Sequence, residues 1–126
     1  MGTTAYFANM ILNASVRAQS VTFPSTLYVA LFSDDPAVST TAELVFDDYA
    51  RKTVTFVAPL DGQTRNAADV DFGTIGSDWG TISHYAIMDA LTNGNMLYYE
   101  AFDELVSAQA EDAIKIPAGT LVLDLE

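Results

Sequence analysis

Few residues of this chain have the types and spacing to do chemistry. His84 is the single histidine, so a Ser-His-carboxylate triad or any histidine metal site would depend on it. It falls in the run Ile82-Ser83-His84-Tyr85-Ala86-Ile87-Met88, alternating with Ile82 and Ala86. That position predicts a packed, hydrogen-bonded histidine in mid-strand. Ser83 is adjacent, hence on the opposite face, and no nucleophile-elbow motif surrounds it. Asp69 and Asp71 share a strand face and carry the oxygen ligands a hard cation prefers. No Asp-x-Asp-x-Asp-Gly loop accompanies them, so they read as a solvated outer face. Gly73 and Gly76 lack the Lys-Ser/Thr that completes a phosphate loop. Cysteine is absent, which removes disulfides and thiolate metal sites. The expectation is a protein without catalysis, cofactor or metal; a hydrolase using His84 with a loop carboxylate is the rival.

Aromatic residues beside acids are the other candidates. Tyr49 follows Asp47-Asp48 and Trp79 follows Asp78, an arrangement that suits carbohydrate-binding surfaces and interface anchors alike. Tyr98 and Tyr99 are consecutive in an apolar run and must face opposite ways, so at most one is expected in the core.

The elements that position these residues are one helix followed by strands. Thr3 and Thr4 are N-cap candidates. Phe7, Met10, Ile11 and Ala14 then share one helical face ending near Ala18, and Arg17 in the last turn suits the negative end of the helix dipole. Such a helix, held from Met1 on, docks either on the chain's own sheet or in an assembly contact. Ser25-Thr26-Leu27-Tyr28-Val29-Ala30-Leu31-Phe32 is apolar on both faces, the pattern of a central strand covered on both sides. A long polar loop follows, to Asp48. Arg51-Lys52-Thr53-Val54-Thr55-Phe56-Val57 alternates as a strand, and Asp61-Gly62 marks a turn. Residues 67–72 alternate with Ala68, Val70 and Phe72 inward, and Gly73, Gly76 and Gly80 bracket a flexible link. Residues 78–102 read as a hairpin of two buried strands turning at Asn93-Gly94-Asn95. Residues 103–110 read as a polar loop or a short helical turn. Residues 113–116 and 120–126 supply the last strands, the final one leaving little room for a tail.

The fold expected is mainly β, a compact β-sandwich or barrel of about seven strands with one N-terminal α-helix. A chain of 126 residues, half of them hydrophobic, makes one domain (helix 1–20, β domain 25–126) that buries roughly two thirds of its unfolded surface. No apolar run reaches the ~20 residues that cross a bilayer. No basic region precedes an apolar segment, so the N-terminus reads as mature sequence and no secretory route is expected. Five Lys and Arg stand against 17 Asp and Glu, a net charge of −12, which disfavours nucleic acid and anionic membrane as partners. A solubilising surface, a basic partner or bound Ca²⁺ each accommodates that charge.

Laid end to end, the chain resembles a family of small phage virion proteins commonly labelled phage tail fibre protein. The likeness runs through Met10-Ile11-Leu12-Asn13, the strand ending at Phe32 with Asp35-Pro36 after it, Tyr49-Ala50-Arg51-Lys52-Thr53-Val54-Thr55-Phe56 and Asn66-Ala67-Ala68-Asp69-Val70-Asp71-Phe72. It continues through the hairpin from Asp78-Trp79-Gly80 to Tyr98-Tyr99 and through Ile116-Pro117-Ala118-Gly119-Thr120-Leu121-Val122-Leu123. The chain departs from that pattern in a loop after Pro36 that is not Gly-rich, and in Ala86 where glycine is usual. The resemblance implies a structural protein of a bacteriophage virion, assembled in the host cytoplasm. With no repeats or shaft, the expected role is a capsid decoration (cement) protein that bridges and stabilises capsid subunits. The alternative is a tail or tail-fibre component, binding host-surface glycans through Trp79 or Tyr49. Expected partners are the major capsid protein or tail proteins of the same phage and further copies of the chain, as a trimer. The candidate interaction residues are Phe7, Met10, Ile11, Tyr49, Trp79, Asn93 and Asn95.

Overall fold

Thr4 has extended backbone, and its hydroxyl accepts a hydrogen bond from the Phe7 amide, so the helix α1 runs Ala5–Val16 from a side-chain cap. The same hydroxyl donates to the Met96 carbonyl at 2.6 Å, tying the helix start to the sheet. The computed structural model describes residues 2–125. The expected order at Met1 and the expected strand end at Glu126 lie outside them. Strands are β1 (Gly2–Thr3), β2 (Leu27–Phe32), β3 (Lys52–Val54), β4 (Gln63–Arg65), β5 (Val70–Thr74), β6 (Gly80–Met88), β7 (Met96–Ala108), β8 (Ala113–Ile116) and β9 (Val122–Asp124).

The fold is mainly β. One layer is a five-stranded antiparallel sheet in the order β1-β7-β6-β2-β3, and the other is two strand pairs, β4-β9 and β5-β8. The arrangement is sandwich-like and not a closed barrel. Val29, Leu31, Ile82, Tyr85 and Ile87 of the sheet pack against Val70, Phe72, Ile116, Leu121 and Leu123 of the second layer. β2 is central and apolar on both faces, as its sequence predicts. Its other face, with Ala30 and Phe32, forms a smaller cluster with Ala86 and Met88. Tyr98 leans on the first cluster and Tyr99 on the second; they face opposite ways as expected, and both are only half-buried because each covers the rim of a different apolar face.

Two short strands escape the sequence reading. β1 pairs with β7 through Gly2 and Tyr99, and a Cβ on Gly2 would collide with the Tyr99 ring. β4 follows the Asp61-Gly62 turn, where both residues have positive φ (53° and 77°), the signature of a tight hairpin turn. The expected strand over 51–57 is divided between the layers. Lys52 to Val54 pair with β2, whereas Val57 donates to the Arg65 carbonyl and Thr55 accepts from the Ala67 amide.

The largest departure is in the hairpin. Between the pairs Ile82–Val106 and His84–Ala101, β6 advances two residues while β7 advances five. Residues 102–105 therefore bulge out opposite Ser83, and β7 continues to Ala108 where a loop or helical turn is expected from composition. The bulge also breaks the alternation of β6: Ile82 and Tyr85 both face the main core, and His84 falls on the face of Ala86. Only β6 of the two hairpin strands is extensively buried. β7 is mostly half-buried or exposed.

Asn66, 1% exposed, joins the second layer. Its amide nitrogen donates to the carbonyls of Ala68 and Pro117 at 2.9 and 3.1 Å, and its side-chain oxygen accepts from the Leu121 amide at 2.9 Å. Drawing the Ala68 carbonyl inward leaves the Ala68 side chain exposed, against the expected inward position, and β5 starts only at Val70. Asn66→Ala leaves a buried backbone donor and carbonyls without partners, so urea unfolding is expected to show a loss of about 2–4 kcal/mol. A loss below about 1 kcal/mol would contradict this role.

Candidate functional site

The hairpin tip, residues 89–95, is both exposed and heavily braced. Leu91 to Asn95 are all exposed, Leu91 by 51%. The Asp89 carboxylate accepts from the Asn95 amide at 2.7 Å and from its side-chain nitrogen at 3.0 Å. Asn93 and Gly94 both have positive φ (56° and 74°), and a Cβ on Gly94 would sit 2.5 Å from Asp89 Oδ1, so glycine is required there.

Behind the tip lies Arg51. Its Nη1 donates to the carbonyls of Ala90 and Asn93, each at 2.8 Å. Nε and Nη2 reach the two Glu43 oxygens, also at 2.8 Å, a bidentate pair. The Tyr49 hydroxyl donates to Glu43 Oε2 at 2.7 Å and accepts from the Leu31 amide at 3.0 Å. That contact fills a gap along β2, whose edge is otherwise met by β3 and by the Glu43–Phe32 bridge. Burial opposes ionisation of Glu43, but the bonds from Arg51 and Tyr49 and the Arg51 charge outweigh it and hold the carboxyl below its usual range. The bond to Glu43 raises Arg51 further, and burial pushes the Tyr49 phenol up.

Tyr49 and Trp79 are brought together, but inside. Trp79 is 3% exposed and meets Tyr49 edge-on at 5.5 Å, with Phe46 and Phe72 around them. The Trp79 Nε1 donates to the Asp48 carboxylate at 3.0 Å. The Gly76 amide and Ser77 hydroxyl reach the same carboxylate at 2.7 and 3.0 Å. The segment expected to be a flexible link is thus tied down, and the Trp79 ring is not presented to solvent for stacking on a sugar. Asn93 and Asn95 are exposed at the tip. Phe7 is buried against Tyr98 and Phe23, Met10 and Ile11 are half-buried, and the large hydrophobic residues that the helix exposes are Tyr6, Leu12 and Val16, which the periodicity did not single out.

The chemistry candidates do not converge. Ser83 Oγ lies 2.8 Å from His84 Nδ1, but among the described residues no carboxylate bonds the ring. Asp69 accepts from the Ala118 amide and Asp71 from the Gly73 amide, so the two carboxylates brace different turns. Among the described residues, no three His, Cys, Asp or Glu side chains are placed to hold a metal ion. The acidity has a structural use instead. Eight of the twelve aspartates accept a backbone N–H: Asp34, Asp35, Asp48, Asp69, Asp71, Asp78, Asp89 and Asp112. The motif was visible in Asp35-Pro36-Ala37 and Asp71-Phe72-Gly73, where an aspartate stands two residues before the amide it caps.

A family model described as podophage GP4 fiber I protein gp80 matches residues 2–124, and the chain belongs to that family. It is thus a structural component of a phage virion, associated with other virion proteins. No curated protein matches the chain. Among the described residues no helix is long and apolar enough to cross a membrane.

The bonds from Trp79 and then Gly76 lower the Asp48 carboxyl to about 2 from an ordinary 3.8. A carboxyl depressed on folding stabilises above its unfolded value and loses that contribution as pH falls through its folded value. The Tm gap between wild type and Asp48→Asn is therefore expected to be widest above about pH 4 and to close toward pH 2. A gap unchanged across that window would contradict the assignment.

Proposed function

We propose that the chain is a non-catalytic tail-fibre component of a podophage virion that makes its outward contact through the braced tip at residues 89–95. The fibre family spanning nearly the whole chain carries this reading. The tip supports it in turn, because a contact surface held rigid before binding loses little entropy when it engages. With the Trp79 ring covered, a host-glycan contact falls to Asn93, Asn95 and their neighbours and not to aromatic stacking.

One observation favours the second reading, capsid decoration: the described residues form one sandwich without internal repeats. Gold-labelled antibody raised against the 89–95 loop separates the two on intact particles. Gold on the tail is the expected outcome; gold spread over the capsid faces would overturn the fibre reading in favour of decoration.

The same proposal includes a homo-oligomer of three copies. Support comes from the helix, whose Leu12 and Val16 are 54% and 76% exposed and lie one turn apart. Light scattering on the purified chain is expected to give a trimer that Leu12→Lys converts to monomer. A wild-type monomer at working concentration would remove this part of the proposal.

A further inference from the structure

We propose that the open side of the sandwich, between the outer edge of β7 and strands β8 and β9, accepts an extended basic segment of another protein as an added strand. The proposal concerns the isolated chain and is independent of its place in the virion.

The free edge is the first observation. Among the described residues, the outer side of β7 is paired by β1 at Tyr98 and Tyr99 and meets Thr4 at Leu97 and Met96. Beyond Tyr99, among the described residues, no strand lies on that edge through Ala108. Such an edge offers main-chain donors and acceptors to an incoming strand. It also carries apolar side chains facing water, with Leu105 70% and Val106 37% exposed.

Alongside this edge the two layers do not close. An apolar cleft of about 230 Å³, lined by Ile82, Phe102, Val106, Ile114 and Ile116, opens toward the main core. A second cleft of about 650 Å³ includes Tyr85, Glu104 and Val122 in its wall. Phe102 and Thr120 line both, so the two form one groove. Its depth suits the inward side chains of an extended segment, every second residue of which points the same way.

Charge selects the occupant. Asp103, Glu104 and Asp124 line the larger cleft, one Asp124 oxygen is buried with no hydrogen-bond partner, and Lys115 beside the smaller cleft lies 3.7 Å from Asp69. A low-dielectric cleft of one sign focuses its field on an opposite charge. A second copy, with its own net charge of −12, meets repulsion there, and Asp103 and Glu104 are the kind of edge charges that keep like-charged edges from pairing with themselves. An alternating basic and apolar segment satisfies the edge, the apolar floor and the carboxylates together.

The test uses the full chain and a capped peptide of alternating lysine and valine, about six residues long, followed by amide chemical shifts. Expected are saturable shifts centred on residues 101–107, weakened about tenfold by Asp103→Lys with Glu104→Lys. Both positions are exposed, so this variant is expected to keep its fold, which the rest of its spectrum verifies. The proposal is overturned by no shifts, by shifts centred elsewhere, or by equal binding of a glutamate-valine peptide. Broadening of residues 101–107 with protein concentration alone would also overturn it, since the occupant would then be a second copy.

Discussion

The Arg51 guanidinium is the interaction on which the exposed end of this fold depends. It sits 8% exposed, facing a Glu43 carboxylate that is itself 22% exposed, and four hydrogen bonds use its planar fork. Lysine has a single ammonium and cannot span a carboxylate on one side and two carbonyls on the other. A paired charge at this depth is weak evidence for stability, because desolvation offsets much of the attraction. Its consequence is geometric. Arg51 fixes the Ala90 and Asn93 carbonyls relative to the sheet, and Glu43 passes the constraint through Tyr49 to the backbone of Leu31 at the centre of the core.

Around that point the chain repeats one device. A short acidic side chain accepts a backbone N–H at a turn, and a loop that would otherwise fray becomes ordered. Asp89 does this within the tip, Asp48 beneath Trp79, and Asp78 at Ala110. A negative net charge thus coexists with a structure in which most aspartates have specific work. It also explains why a chain rich in carboxylates gathers no metal cluster among its described residues: the oxygens are dispersed along the turns.

Much of the fold was legible because it rests on local signals. The Thr4 cap, the doubly apolar run ending at Phe32 and the two turns at Asp61-Gly62 and Asn93-Gly94 depend on residues close in sequence. What was not legible depends on distant partners. Trp79 beside Asp78 reads as a surface pair until Asp48, remote in sequence, takes the indole N–H and buries the ring. The alternation of β6 fails at His84 because its neighbouring strand bulges opposite Ser83, which β6 does not encode. Residues 103–108 are polar enough for a loop, yet they continue β7 because its partner strand is already in place. At the candidate site, Asn93 and Asn95 were readable from turn chemistry, whereas Arg51 and Glu43 were not, since their pairing crosses the long loop to the tip.

A double-mutant cycle on Glu43→Gln and Arg51→Met, followed by urea unfolding, tests the network most directly. If the two side chains act as one brace, each single change strands its partner, and the double variant loses less than the sum. The predicted coupling is about 1.5–3 kcal/mol. Losses that add to within about 0.5 kcal/mol would mean that Arg51 and Glu43 act independently, and the bracing account would fail.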